Sequence, residues 1–472
     1  MTQAQALDIL LSGRSVFLTG PPGAGKTYVL NEFVRHARQQ RWRVAVTAST
    51  GIAATHIEGM TIHGWSGLGT REKLTTKVAK QLLRIEGLRR RYQETDALVI
   101  DEVSMLHGSR LSLLNEACQL FRGNRAPFGG LQIVLAGDLF QLPPVTHSGE
   151  VPDFAHVSAA WAALDPAVCY LTEQHRQEHD GLLDVLQAMR GQALGQGHID
   201  ALQTRIGQQP PTDTPLIQLC THNRHADELN QQHLAVLTGK SRTYGTVTHG
   251  LPVDLAQLGQ GVLAPETLEL KADAEVMFVV NNPGAGYANG TRGQVVGFSR
   301  GLPRVRLATG KTITVESHRW VLAEDGRERA HIVQLPLRLG WAITIHKSQG
   351  MSLDAAVIDL RQCFTPGMGY VGLSRVRSLE GVFLTGINRM ALQIHPEIVA
   401  VDETLREASA CLERTGVRPR QTRSAPRVTW PVPVVGKSRP HRYPSRIRRT
   451  RRLTEALTVV GMVAACAIAV TL

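Results

Sequence analysis

The sequence predicts an α/β fold built on parallel sheets, and three observations support this class. Short apolar stretches alternate with segments of helical spacing, and polar residues stand directly after several of the apolar stretches. The first apolar stretch, residues 15–19, leads through a glycine loop into apolar positions spaced as in a helix over 29–37. Because open parallel sheets bind ligands at the carboxyl ends of their strands, we expect a ligand site along one sheet edge.

The first elements in chain order form a phosphate-binding unit. A helix predicted over 2–14 ends near Gly13, and the strand at 15–19 then enters residues 20–27, which fit G-x-x-x-x-G-K-[ST]. Glycines let backbone N–H groups point toward an anion, and the following helix adds the positive end of its dipole. Lys26 would reach the β- and γ-phosphates, and the Thr27 hydroxyl would hold Mg²⁺. The predicted nucleotide-binding residues are Gly20, Pro21, Pro22, Gly23, Ala24, Gly25, Lys26 and Thr27.

Two later strands end in residues that would complete this site. The apolar stretch 97–100 is followed by Asp101 and Glu102, and an acidic residue in that position holds Mg²⁺ in phosphate-loop hydrolases. Glu102 would orient or deprotonate the attacking water, whereas the ordinary alternative is a solvated acidic pair. The stretch 133–136 leads to Gln141, which is either a sensor of the γ-phosphate or a turn residue.

The strand pattern begins again in the second half of the chain. Apolar stretches at 216–220, 357–360 and 382–384 predict a second α/β domain. Within 276–320, short segments that alternate apolar and polar residues or are wholly apolar are separated by glycine- and asparagine-rich turns, which predicts antiparallel strands. We expect a first domain at 1–145, a second at 146–275 and 321–395, an inserted β domain at 276–320, a linker and tail at 396–452, and an apolar segment at 453–472.

The net charge of +12 is concentrated near the C-terminus. Residues 414–452 hold 13 of the 52 Lys and Arg, six prolines and no acidic residue, which predicts a disordered basic tail. The other 39 basic residues face 40 acidic ones, so a nucleic-acid groove in the folded part depends on local charge placement. The apolar stretch 456–472 is at the lower limit for crossing a bilayer; a membrane anchor, a packed helix and an extension without a role all remain open.

The six cysteines are scattered, without a C-x-x-C pair, which argues against a zinc site and a disulfide framework. The N-terminus carries Asp8 and Arg14 among its apolar residues and lacks the layout of a signal peptide. Together these features predict a protein of the reducing cytoplasm.

Seven stretches, in this order, resemble the motifs of superfamily 1 DNA helicases of the RecD-like, PIF-one-type branch. The most specific are Gly-Asp-Leu-Phe-Gln-Leu-Pro-Pro at 137–144 and His-Lys-Ser-Gln-Gly-Met at 346–351. The resemblance covers about residues 1–390. The seven stretches are motif I at 20–27, Ia at 47–54, II at 100–106, III at 137–145, IV at 171–177, V at 341–354 and VI at 370–375.

The resemblance implies ATP and Mg²⁺ held between two RecA-like P-loop domains, with a small antiparallel insertion in the second. Gln3 would contact the adenine, and Asp101 and Thr27 would hold the metal. Arg176 and Arg375 would reach the γ-phosphate from the second domain as arginine fingers when the cleft closes. The expected catalytic residues are Lys26, Glu102, Gln141, Arg176 and Arg375.

The resemblance also implies work on single-stranded and forked DNA, with no small-molecule substrate besides ATP. We further expect a monomer in the cytoplasm, near the nucleoid. It would move 5′ to 3′ and unwind duplexes in repair, recombination or replication. Trp65 or Trp341 would stack on a base unless packed in the core. A DNA-stimulated translocase that separates no strands and a nucleotide-gated DNA-binding module stay open as alternatives. The residues expected near the DNA backbone are Thr50, His63, Thr344 and His346.

Overall fold

The computed structural model describes residues 1–50, 53–54, 57, 59–69, 71–144, 152–173, 181–210, 216–259, 262–282, 284–324 and 327–415. The predicted basic tail beyond residue 415 and the apolar segment at 453–472 lie outside these ranges. Within them, no helix is both long and apolar enough to cross a bilayer.

Six parallel strands form the first sheet, in the order β3-β2-β4-β5-β1-β6. The strands are β1 Val16–Thr19, β2 Val44–Ala48, β3 Met60–Thr61, β4 Ala97–Asp101, β5 Gln132–Ala136 and β6 Ala167–Tyr170. Strand β6 pairs with β1, with Val16 opposite Ala167. The sheet therefore extends beyond residue 145, where the sequence places the end of the first domain, because β6 covers the otherwise open edge of β1.

The helices beside this sheet follow the expected pattern. Helix α1 begins after Thr2, whose hydroxyl accepts a hydrogen bond from the Gln5 backbone N–H, and it ends at Leu11. Helix α2 buries Val29 and Phe33 against the sheet. The helices are α1 Gln3–Leu11, α2 Lys26–Gln39, α3 Ile62–Ser66, α4 Thr76–Arg84, α5 Glu86–Glu94, α6 Gly108–Arg122 and α7 Ala159–Leu164, with 3₁₀ turns at Val103–Met105, Pro127–Gly130 and Ala155–Val157.

A second parallel sheet has the order β18-β7-β19-β20, which confirms the predicted pair of parallel-sheet domains. Its strands are β7 Ile217–Cys220, β18 Ala342–Thr344, β19 Ala356–Leu360 and β20 Val382–Ile387. The helices that follow β6 in the chain are α8 Gly181–Arg190, α9 Gln196–Gln203, α10 Asn223–Val236, α11 Pro252–Gly259, α12 Ile345–Ser348, α13 Met368–Leu373 and α14 Pro396–Thr415, with a 3₁₀ turn at Arg389–Leu392. Helix α14 packs on β6 of the first sheet, and α11 packs on the antiparallel strands described next.

Antiparallel strands separate β7 from β18 in the chain and form three small sheets, β10-β8, β14-β13-β12-β11-β17 and β15-β16-β9. This region is longer than the insertion expected at 276–320, because strands on both sides of that range pair into it. The strands are β8 Arg242–Gly245, β9 Val247–Gly250, β10 Thr267–Leu270, β11 Glu275–Phe278, β12 Arg292–Ser299, β13 Leu302–Leu307, β14 Thr312–Thr314, β15 His318–Glu324, β16 Arg327–Gln334 and β17 Leu337–Leu339.

A buried ion pair joins the two parallel-sheet halves. Arg190, the last residue of α8, donates to Asp138 Oδ1 at 2.7 Å, and Tyr370 of α13 donates to Asp138 Oδ2 at 3.0 Å. Arg190 also donates to the hydroxyl of Tyr370 at 2.8 Å, and its guanidinium lies 3.9 Å from the centre of the Phe140 ring. Burial by itself would raise the pKa of Asp138, but Arg190, Lys26 and the Tyr370 hydroxyl outweigh burial and lower it.

Arg190→Leu should lower the free energy of unfolding by about 3–5 kcal/mol, because Asp138 would remain as a buried charge without its partner. Arg224→Ala is the matched control. Arg224 also meets a carboxylate, that of Glu228, at 2.8 Å, but it is 90% exposed whereas Arg190 is 5% exposed. The control should change stability by no more than about 0.5 kcal/mol. Urea unfolding of both variants measures the difference, and equal losses would contradict the assignment.

Candidate active site

Glycine shapes the loop between β1 and α2. Gly20, Gly23 and Gly25 have φ of 147°, 84° and 83°, values that favour a residue without a Cβ. A Cβ at Gly20 would lie 2.7 Å from the carbonyl oxygen of Leu171, and one at Gly25 would collide with the amide of Gln3. The loop is therefore a backbone cradle in front of the α2 N-terminus, which suits a phosphate chain.

Lys26 lies at the centre of this cradle. Its ammonium donates to the carbonyl oxygens of Gly20 at 2.8 Å and Pro21 at 3.1 Å. Burial lowers the pKa of Lys26, and the negative charges of Asp138 and Glu102 act against that shift. An ammonium held on weak carbonyl acceptors inside its own loop is free to turn to a stronger anionic partner, so Lys26 fits the phosphate role predicted for it.

The acidic pair stands at the carboxyl end of β4, as predicted. Asp101 Oδ1 accepts a hydrogen bond from the Glu102 backbone N–H at 2.9 Å, and Glu102 itself has a left-handed backbone with φ of 52°. Burial, followed by the neighbouring charge of Glu102, raises the pKa of Asp101 to about 7. The charged form of Asp101 is unfavourable in this buried place, so a nearby divalent cation would stabilise it. Mg²⁺ prefers oxygen ligands such as carboxylates and hydroxyls.

Three buried side-chain atoms near this edge have no hydrogen-bond partner among the described residues. They are Ser104 Oγ, Gln141 Oε1 and Gln349 Oε1. Buried polar groups are normally satisfied, so such atoms fit a site that is completed by a ligand. The Ser104 hydroxyl can donate to a phosphate oxygen, whereas the two amide oxygens can accept from water or bind a metal ion. Gln141 is only 6% exposed, and its backbone N–H donates to the carbonyl oxygen of Asp138 at 3.0 Å, so it lies in a buried turn.

A hydrogen bond from the second half of the chain reaches the acidic pair. Gln349, which directly follows α12, donates through Nε2 to Glu102 Oε2 at 3.0 Å. Gln349 lies within motif V, but no role is expected for it from the sequence, since nothing local shows which residue a glutamine will meet. Motif III also touches the second half, because a Cβ at Gly367 would lie 2.8 Å from the carbonyl oxygen of Phe140.

Gln3 and Arg375, also expected at the nucleotide, are both held by hydrogen bonds within their own halves. Gln3 lies against the loop and donates through Nε2 to the carbonyl oxygen of Ala24 at 3.1 Å. Arg375 is 4% exposed, and its guanidinium donates to the carbonyl oxygen of Val371 at 3.0 Å and to the hydroxyl of Ser374 at 2.9 Å. Arg176 lies outside the described residues.

The expected DNA residues fall on both halves and differ in exposure. Thr50 accepts a hydrogen bond from the Ala53 backbone N–H at 3.2 Å, and Thr344 is 4% exposed, so its side chain faces the interior. Burial lowers the pKa of both His63 and His346. Both rings are therefore neutral near pH 7 and suit a DNA backbone as hydrogen-bond donors rather than as cations.

The expectation of base stacking by Trp65 or Trp341 is not supported, since they are only 3% and 7% exposed. Trp65 packs on Tyr92, and Trp341 stacks on His233. Phe364 has the opposite environment: it is 54% exposed, and its ring lies 5.0 Å from that of His222 and 6.2 Å from that of His346. Sequence reasoning missed Phe364, because a single Phe in a loop carries no exposure signal.

A glycine cradle, an acidic pair at a strand end and a second α/β half whose Gln349 reaches that acidic pair define a nucleotide hydrolase with two α/β halves. The sequence model of the PIF1-like helicases matches residues 3–192. The ATP-dependent DNA helicase Pif1 of Psychrobacter sp. (strain PRwf-1) is 40% identical over 471 residues, covering 87% of this chain and 71% of that protein. The chain belongs to the PIF1-like helicase family.

More distant relatives agree with this assignment. Human ATP-dependent DNA helicase PIF1 is 35% identical over 409 residues, a match with 86% of this chain and 63% of the human protein, so the chain spans less than two thirds of that relative. The crystal structure of Pif1 from Candida albicans has a TM-score of 0.79 at 32% identity and covers 85% of this chain and 98% of that chain. Bacteroides Pif1 in complex with ADP-AlF3 and ssDNA has a TM-score of 0.68 at 27% identity and covers 88% of this chain and 98% of that chain.

Lys26→Ala should lower ATP turnover about 10²- to 10³-fold, because the phosphate chain would lose its fixed cation. Stability should change little, since the ammonium's hydrogen bonds within the described residues go to carbonyls of its own loop and Arg190 still neutralises Asp138. Lys80→Ala, at an exposed lysine of α4, is the control. Steady-state phosphate release and thermal unfolding measure the two effects, and turnover like that of the unmodified protein would overturn the assignment of the site.

Proposed function

We propose that this chain is an ATP-dependent helicase that moves along single-stranded DNA and separates duplex and forked DNA. The observation that carries the proposal is that motifs II and III, which lie at the carboxyl ends of strands of the first sheet, both contact residues of the second α/β half. Gln349 meets Glu102, and Gly367 of the α13 N-terminus lies against Phe140. A site shared by two halves couples their relative position to nucleotide chemistry, and the DNA-helicase names of the relatives supply the substrate class.

ATP would be held by the glycine loop, with Gln3 at the adenine and Lys26 at the β- and γ-phosphates. Thr27 and Asp101 would hold Mg²⁺, which when bound neutralises charge on the phosphate oxygens. Glu102 would orient the attacking water and accept its proton. Gln141 would donate through its amide N–H to the γ-phosphate, and its buried Oε1, which lacks a described donor, would accept from the attacking water.

Arg375 and Arg176 are proposed as the arginine fingers. Arg375 lies two residues after α13, the helix that carries Tyr370 beside Asp138, which supports a position close to the cleft. Its guanidinium now donates to groups of its own half, so contact with a γ-phosphate requires it to exchange those partners. Such a finger stabilises the charge of the transition state and contributes about 10³–10⁵ in rate.

The DNA track is proposed to run over the carboxyl edge of the second sheet and the loop that contains Thr50. His222, His346 and Phe364 follow the neighbouring strands β7, β18 and β19, so their positions converge on one sheet edge. The exposed Phe364 ring suits a nucleobase, with His63 and His346 as neutral donors to the backbone. The Bacteroides relative bound to ssDNA makes this ligand class consistent with the fold.

Movement from 5′ to 3′, action as a monomer and a location in the cytoplasm with the nucleoid stay parts of the proposal. A second candidate is a translocase that hydrolyses ATP on DNA without separating strands. A nucleotide-gated module without hydrolysis is less well supported, because Lys26, Glu102 and Gln141 keep the chemistry of a working site.

Unwinding assays on duplexes with either a 5′ or a 3′ overhang test the proposal directly. We expect ATP- and Mg²⁺-dependent strand separation for the 5′ overhang and little for the 3′ overhang. Addition of a chelator should stop the reaction by removing the metal from Thr27 and Asp101. DNA-stimulated hydrolysis without unwinding would favour the translocase, and hydrolysis indifferent to DNA would refute both.

Phe364→Ala should weaken binding to single-stranded DNA by about 1–3 kcal/mol, the usual contribution of one stacked base. Val236→Ala is the control, because Val236 is also exposed and apolar, at 84%, but lies at the end of α10. Fluorescence anisotropy with a labelled oligothymidylate at fixed salt measures both affinities. If the two variants bind equally well, Phe364 is not part of the track.

A further inference from the structure

Glu102 is tied to both segments that are proposed to contact DNA. Ser49, which precedes Thr50, donates to the Glu102 carbonyl oxygen at 2.7 Å. Gln349, three residues after His346, donates to the Glu102 carboxylate at 3.0 Å. The first contact holds the backbone of the acidic residue, whereas the second reaches the oxygen that would act on water.

The Gln349 contact differs from an ordinary polar bond of a protein core. The side chain is 2% exposed, its Nε2 is used on Glu102, and its Oε1 has no donor among the described residues. A buried amide oxygen without a donor is unfavourable for stability, so packing among the described residues does not explain this contact. The bond also spans the two parallel-sheet halves, which move relative to each other if the cleft opens and closes.

We propose that Gln349 is a positioning residue that orients the Glu102 carboxylate and makes its orientation depend on the DNA-contacting segment around α12. This inference rests on the proposed function. Helix α12 is only four residues long, so a displacement of His346 by DNA is transmitted to Gln349 through a single turn. Glu102 would then face the attacking water correctly only when α12 is in its DNA-bound place.

The proposal has a thermodynamic consequence. If DNA at α12 favours the arrangement of Glu102 that suits ATP, then ATP must favour DNA binding by the same factor, since coupling between two sites is reciprocal. Loss of Gln349 should therefore reduce that factor toward one, while each ligand alone binds with unchanged affinity. A merely structural glutamine would instead alter folding or both affinities.

The experiment compares Gln349→Ala with Gln187→Ala, at an exposed glutamine of α8. We measure kcat and KM for ATP with and without saturating oligothymidylate, and the Kd for oligothymidylate with and without a non-hydrolysable ATP analogue. For Gln349→Ala we expect a roughly 10- to 100-fold lower DNA-stimulated kcat, below the full contribution of a general base. The KM for ATP without DNA should be unchanged, and DNA should no longer lower it. The effect of the analogue on the DNA Kd should disappear. The control should match the unmodified protein.

Gln349→Met keeps the side-chain volume without the N–H donor and serves if the alanine variant folds poorly. The double variant Glu102→Gln, Gln349→Ala should be no slower than Glu102→Gln alone, because both changes act through one carboxylate. The inference would be overturned if the double variant were slower than Glu102→Gln alone, or if DNA still stimulated ATP hydrolysis normally in either Gln349 variant. If the unmodified protein shows no DNA stimulation, it is the proposed function that fails instead.

Discussion

The buried contact of Asp138 with Arg190 and Tyr370 is the constraint on which the arrangement of the two halves depends. Motif III enters it through Asp138, and the helix of motif VI enters it through Tyr370. A buried carboxylate is tolerated only when its charge is neutralised and its oxygens accept hydrogen bonds, so the three side chains have little freedom to separate. The pair therefore serves as a fixed point near the cleft, about which weaker contacts can change.

The weaker contacts lie beside the nucleotide site. Lys26 rests on carbonyls of its own loop, and Gln349 leaves one of its two polar atoms without a described partner. Groups held in this way are ready to exchange partners when phosphate, metal and water arrive. A rigid contact between the two halves beside a site with unused hydrogen-bonding groups suits an ATPase of two domains. The rigid contact positions the catalytic residues, and the unused groups favour binding of the ligand.

The proposed DNA face follows a different principle. Apart from the basic tail, the chain has nearly equal numbers of acidic and basic residues, and His63 and His346 are neutral near pH 7. Recognition of a strand by the folded part would thus depend on stacking and directed hydrogen bonds more than on a large field of positive charge. Such contacts are made and broken step by step, which suits movement along a strand better than a uniformly strong electrostatic grip.

The sequence by itself determined the features whose signal is local. The phosphate loop, the acidic pair after β4 and the two parallel sheets are encoded in glycine spacing and apolar periodicity over a few residues, and the structure has them where they were expected. The extent of the antiparallel region, the burial of Trp65 and Trp341 and the exposure of Phe364 were decided only by the tertiary structure. So was the bond from Gln349 to Glu102, whose partners are 247 residues apart. Burial and pairing depend on which distant segments meet, and no local pattern carries that information.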